Sequence, residues 1–274
     1  SYWMQSSVSA SNAVFWVKVS GDLNSDQTIY LYYGNTAANS TSSGSGTFIY
    51  YDNGASTAGW TVSGTAGTSA TQGNPVNSLY AQTKTGGGTG AGGQHYMSKD
   101  IGLGAGTFTF FNVRTENGNL GNFYFLCNAG GAGQMYRLDA RGGANYSGFA
   151  TTTAWNTWTA PGASQTSASN TWYQFGIAIN AAGSASTLYY DQGTSTNPVP
   201  GTVLNSTTYP LTNNGGYIGL GGDAVGGTLN TYWDNIITRK YVNPEPAHST
   251  WGTQEPIADP VAKAATNITG TGFN

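Results

Sequence analysis

The sequence predicts an all-β chain built as an antiparallel β-sandwich. Short runs of Phe, Tyr, Trp, Ile and Val alternate with polar or small residues at a period of two. Gly and Asn close these runs with turn chemistry at short, regular spacing. The composition also works against helix, since 41 Gly and 18 Tyr stand beside only 8% charged residues.

The elements follow in order. In AVFWVKV, Phe15, Val17 and Val19 share one face, and Val14, Trp16 and Lys18 the other. In TIYLYYGN, Ile29, Leu31 and Tyr33 alternate with Tyr30 and Tyr32, and Gly34–Asn35 supplies a turn. A polar stretch then leads to the short strand TFIYYD and a turn at Asn53–Gly54. From Gly54 to Gly93 large apolar residues are sparse, and Gly86–Gly93 reads as a flexible loop; it lacks the Gly-Lys-Ser/Thr ending of a phosphate loop.

Beyond it, TFTFFNVRT sets Phe108 and Phe110 opposite Phe111 and Val113. NFYFLCN sets Phe123, Phe125 and Cys127 on one side. TWYQFGIAI is the cleanest run, with Tyr173, Phe175, Ile177 and Ile179 against Trp172, Gln174, Gly176 and Ala178. QMYRLDA, STLYYDQG, GGYIGLGG and YWDNIITRKYV complete the series. Near Val261–Ala265 a brief helix and a strand fit equally well.

The bulk numbers exclude several classes. The nine basic residues are scattered and the net charge is −3, so the concentrated cation patch of a nucleic-acid binder is absent. No apolar run reaches membrane-spanning length. The chain opens with SYWMQSS, without the basic and apolar regions of a leader, which implies that a leader was removed or that the chain begins downstream of one. A lone cysteine, Cys127, allows no internal disulfide and by itself favours a reducing compartment. The composition argues the other way, as do four glycosylation-type sequons at Asn39, Asn145, Asn205 and Asn267, and the balance is an extracellular, cell-surface location.

Chemistry-bearing residues are few. His95 and His248 lie far apart, no GxSxG elbow is present, and each His reads as a surface or packing residue. Cys127, in an aromatic strand with no base nearby, reads as a buried thiol. No His/Cys cluster indicates zinc. Trp155 and Trp158, in the polar stretch TTTAWNTWTAPG, are the glycan-stacking candidates; the competing reading has both plugging a sandwich edge. Trp16, Trp172 and Trp233 lie in strands and read as packing.

Two stretches carry resemblances. YWMQS followed by VFWVKVSGDLNSDQTIYLYYGN and a Phe-containing strand resembles the C-terminal half of an uncharacterised domain family of prokaryotic surface proteins, over roughly the first fifth of the chain. NTWYQFGIAIN, TLYYDQG, GYIGLGG and YWDNIITRKYVNPEP together resemble a concanavalin A-like, laminin-G-like jelly roll. These resemblances imply an incomplete N-terminal β-unit over residues 1–53, a jelly-roll sandwich over 54–255 and a C-terminal tail over 256–274. They also imply a surface location.

Glycosidases of the jelly-roll class carry paired carboxylates at alternate positions of one strand. The twelve acids here are isolated: Asp22 and Asp26 lie in a turn region, and Glu245 and Glu255 flank Pro-rich sequence. The chain is therefore expected to be non-enzymatic. Laminin-G-like domains often hold calcium at a loop rim, which makes Asp223 and Asp234 the calcium candidates; the alternative is that they bond locally in turns. No other cofactor is expected. An incomplete sheet exposes backbone groups that another chain can satisfy, and the tail, with its TNITGTGF run, could serve as a donor strand. The expected function is a structural or adhesive surface protein, a subunit of a pilus-like filament made of copies of itself. The alternative is a lectin-like carbohydrate-binding module, with glycans as partners.

Overall fold

The computed structural model describes residues 1–9, 12–20, 28–30, 37, 39, 41–73, 77–82, 95–116, 119–139, 148–155, 157–158, 168–192, 202–205, 211, 214–224 and 229–242. The chain begins with a hairpin of β1 (Tyr2–Ser9) and β2 (Asn12–Val17). One helical turn, α1 (Gly44–Thr47), leads into β3 (Tyr50–Asp52). The Ser43 hydroxyl caps that turn by accepting from the Gly46 N–H at 3.1 Å. There follow β4 (Thr61–Ser63), β5 (Ala66–Ser69), β6 (Ser78–Gln82), β7 (His95–Asp100), β8 (Thr107–Thr115) and β9 (Asn119–Cys127). Then come β10 (Gly133–Asp139), β11 (Gly148–Ala154), β12 (Thr157–Trp158), β13 (Trp172–Ile179), β14 (Ser186–Gln192), β15 (Thr202–Asn205), β16 (Tyr217–Ala224) and β17 (Asn230–Lys240).

All pairings are antiparallel among the described residues. One sheet has seven strands in the order β12-β11-β10-β9-β16-β7-β4; the other has eight, seven of them in the order β15-β14-β13-β8-β17-β6-β5 and the eighth, β3, paired with β17. The chain passes from one sheet to the other between β8 and β9 and between β16 and β17, which is the jelly-roll pattern. The fold is therefore the expected antiparallel β-sandwich.

Period-two alternation dictates what lies between the sheets. Phe111, Val113, Tyr173, Phe175, Ile177, Trp233 and Leu79 point inward from the eight-stranded sheet and meet Phe123, Phe125, Tyr136, Leu138, Ile218 and Leu220 from the seven-stranded one. Phe111 stacks on Phe123 across the gap, with ring centroids 3.9 Å apart. Each such fully buried ring contributes about 1.5–3 kcal/mol of transfer free energy.

The strand NFYFLCN departs from strict alternation. Tyr217 pairs with Cys127 but Gly219 pairs with Tyr124, so β9 carries one residue more than β16 over this span. Leu126 takes up the excess in a left-handed conformation at φ 53°. The bulge turns Leu126 into the core and Cys127 out to the opposite face, beside Tyr124, Met135 and Ala150. The expectation that Cys127 shares a face with Phe123 and Phe125 is thus corrected.

The N-terminal hairpin packs on the outer face of the eight-stranded sheet. Trp3 meets Phe48 edge-on at 5.4 Å, and Trp16 meets the same ring at 5.9 Å. Phe48 in turn packs with Phe108, Phe110 and Ile237. The Arg239 guanidinium lies over the Phe108 ring at 4.7 Å and the Trp16 ring at 5.5 Å. Residues Ser1–Asn243 form one compact unit; the second, Pro244–Asn274, lies outside the described residues. So do the TIYLYYGN run from Leu31 onward, the Gly86–Gly93 loop and the Val261–Ala265 stretch.

Candidate functional site

The outer face of the seven-stranded sheet holds an aromatic pair. β7 places Tyr96 on this face, opposite Gly221 of β16. Trp155 follows directly on β11 and folds back over the sheet. Two hydrogen bonds hold it to the turn between β9 and β10: its backbone N–H donates to Gly130 O at 3.1 Å, and its indole Nε1 to Ala129 O at 3.1 Å. Asn128 shapes that turn, its Oδ1 accepting from Gly130 N at 2.8 Å and Ala132 N at 3.1 Å.

The indole lies where the sheet has no side chains. A β-carbon at Gly219 would stand 2.4 Å from Trp155 Cζ3, and one at Gly131 would stand 2.4 Å from Cδ2. Tyr96 stacks on the indole with centroids 5.4 Å apart and planes 24° apart, and Tyr124 meets it edge-on at 5.4 Å. Tyr96 and Trp155 are both half-buried, while Tyr124 is fully buried. Ser63 on the edge strand β4 pairs with Tyr96 and brings a half-buried hydroxyl residue beside it. Sequence reading singled out Trp155 but not Tyr96, because the contact joins segments 59 residues apart in numbering.

The other candidates are dispersed. Trp158 lies in β12, where its backbone pairs with Thr152. Asp223 is on β16 of the seven-stranded sheet and Asp234 on β17 of the eight-stranded sheet, so the two calcium candidates are not brought together. Asp234 is buried, and its Oδ1 accepts from the adjacent Asn235 N–H at 2.6 Å. Among the described residues no three His, Cys, Asp or Glu side chains gather in a way that could hold a metal.

Of the sequons, Asn39 is exposed, Asn205 ends β15, and Asn145 and Asn267 lie outside the described residues. So do His248, Asp22, Asp26, Glu245 and Glu255. His95 is half-buried, and its Nδ1 accepts from the Thr65 N–H at 2.8 Å. The Cys127 thiol is buried and lies within donating distance of the carbonyls of Phe125, at 3.4 Å, and Gln134, at 3.5 Å. Burial pushes it up to about 12, against hydrogen bonds that act the other way, so it is a thiol and not a nucleophilic thiolate at neutral pH.

Comparison with known proteins adds the following. Residues 1–63 match a family model described as a domain of unknown function (DUF2341). No curated protein matches the chain. Among solved structures, a carbohydrate-binding module from Bacillus subtilis (CBM66) is similar at a TM-score of 0.42 and 14% identity, covering 66% of this chain and 96% of that one. The Crh5 transglycosylase in complex with NAG is similar at a TM-score of 0.45 and 14% identity, covering 71% and 84%. A protein of unknown function with a galectin-like fold, also from Bacillus subtilis, is similar at a TM-score of 0.42 and 12% identity, covering 70% and 98%. No described helix is long and apolar enough to cross a membrane.

Proposed function

We propose that this chain is a non-catalytic, extracellular carbohydrate-binding module that meets its glycan through Trp155 and Tyr96. The observation that carries the reading is the offset-stacked pair these rings form on the outer face of the seven-stranded sheet. Aromatic faces take the C–H faces of sugar rings, and such surfaces are apolar with a few polar groups at the rim. The low charge of the chain suits a neutral ligand.

The test is a glycan array followed by titration with the glycans retained. Trp155→Ala and Tyr96→Ala are each expected to weaken binding at least tenfold while leaving a folded far-ultraviolet spectrum. Unchanged affinity in both variants, or no retained glycan, rejects the site.

A second reading, a subunit that assembles with copies of itself into a surface fibre, draws on the N-terminal hairpin. Its outward face exposes Met4, Phe15 and Val17 at 39%, 36% and 41%, an apolar surface suited to another protein. Negative-stain microscopy of the full chain, with and without Ala258–Asn274, tests it. Filaments of unchanged length after the deletion would rule out strand donation by the tail.

A further inference from the structure

The outer face of the eight-stranded sheet carries a row of side chains that the Trp155 reading does not use. Trp172 of β13 pairs with Arg114 of β8, Arg114 with Tyr232 of β17, Tyr232 with Tyr80 of β6, and Tyr80 with Gly67 of β5. Alternation places all four side chains on the outward face, since Tyr173, Val113, Trp233 and Leu79 beside them fill the core. Strands lie about 4.8 Å apart, so from Trp172 to Tyr80 the row spans roughly 14 Å.

Two side-chain hydrogen bonds hold Arg114 in place. Its Nη1 donates to Gln72 Oε1 at 2.9 Å and its Nη2 to Asn170 Oδ1 at 3.1 Å. Both acceptors are neutral amides on tethered loops: Gln72 N donates to Ser69 Oγ at 3.2 Å, and Asn170 N to Thr115 O at 2.7 Å. The guanidinium lies over the Tyr232 ring at 5.5 Å. Among the described residues no carboxylate pairs with it. The nearby Glu116 has both oxygens engaged, Oε1 with the Tyr232 hydroxyl at 2.8 Å and Oε2 with Asn230 N at 2.7 Å. The fork therefore keeps N–H groups for a further acceptor. Trp172, next in the row, is half-buried, and among the described residues no ring stacks on it and no group accepts from its Nε1.

We propose that this face carries an acidic-sugar site, in which Arg114 binds the carboxylate of a uronic-acid residue and Trp172 stacks on its ring. A planar guanidinium matches a carboxylate bidentately. The Trp172 indole, one strand away, supplies the apolar half of the contact. An acidic peptide fits less well, because added strands bind sheet edges, whereas β8 lies inside the sheet with its backbone already paired to β13 and β17. The site stands independently of Trp155, and two sites on opposite sheets would let one molecule bridge two glycan chains.

Titration calorimetry of the full chain tests the proposal. The probes are polygalacturonate, alginate and hyaluronate, with fully methyl-esterified polygalacturonate as the neutral control and poly-glutamate as the acidic peptide. Binding is expected to at least one uronate polymer, to weaken as salt is raised, and to fall at least tenfold in Arg114→Gln and in Trp172→Ala. Arg114→Lys, which keeps the charge but not the fork, is expected to recover only part of the loss. No binding to any uronate polymer overturns the proposal, as does equal affinity for the esterified control. Tighter binding of poly-glutamate that survives Trp172→Ala overturns it in favour of a peptide ligand.

Discussion

Trp155 rests on Gly219: the ring occupies the space that a side chain on this stretch of β16 would need, with only 2.4 Å between Cζ3 and a β-carbon built on the glycine. Gly219→Ala is therefore expected to force the indole off the sheet and to cost about 1–3 kcal/mol of stability. In a Trp155→Ala background the same change should cost much less. Urea denaturation of the two single variants and the double variant measures the difference, and simple additivity would mean that the two residues do not act on each other.

The Cys127 thiol should be inert in the native protein. It is fully buried, and a β-carbon added at Gly133 would stand only 2.7 Å from its Sγ. An aromatic disulfide reagent at pH 8 is expected to label no thiol in buffer and one in denaturant. Rapid labelling of folded protein would contradict this packing.

Stability should fall on the alkaline side. Burial raises the Cys127 thiol from 9.0 to about 12, and burial together with the Asp52 carboxylate raises the Tyr50 hydroxyl above its ordinary 10.0. The Tyr50 hydroxyl donates to Asp52 Oδ2 at 2.7 Å, a bond that needs its proton. Both groups keep their protons in the folded chain at pH values where the unfolded chain gives them up. Their contribution is therefore complete below about pH 9 and is lost as pH rises toward 12, at up to about 1.4 kcal/mol per pH unit for each group. Urea midpoints between pH 8 and 11 should decline, and Cys127→Ser should shallow the decline; a flat profile would refute the assignment.

Phe48 is the wedge between hairpin and sheet. Its ring contacts Trp3, Trp16 and Tyr51, with only 6% of the residue exposed. Phe48→Ala is expected to cost about 3–5 kcal/mol. It should also open the β1–β2 hairpin to limited proteolysis before the sandwich itself is cut. Simultaneous loss of both would indicate that the hairpin is held mainly by other contacts.

Strands that alternate cleanly were legible from the chain. β8 and β13 show it best, with Phe111, Val113, Phe175 and Ile177 inward and Phe108, Phe110 and Ala178 outward, as the spacing predicts. The face taken by Cys127 is not legible, because a bulge depends on the register of the partner strand, and nothing in FLCN marks Leu126 for a left-handed conformation. β4 and β5 are not legible in the chain, because Thr, Ser, Ala and Gly carry little periodic signal. The sites were less legible than the fold. Trp155 stood out by its setting, but Tyr96 and the Trp172–Arg114–Tyr232–Tyr80 row are products of cross-strand register between distant segments.

The order of strands has a consequence during synthesis. β8 is complete at Thr115, yet one of its two neighbours, β17, ends at Lys240, which pairs back to Thr107. A chain emerging from the ribosome carries one edge of β8 unpaired while more than a hundred further residues are made. Contacts so distant along the chain slow folding, so newly made protein should depend on a holding chaperone, or on delayed collapse, until β17 arrives to close the sheet.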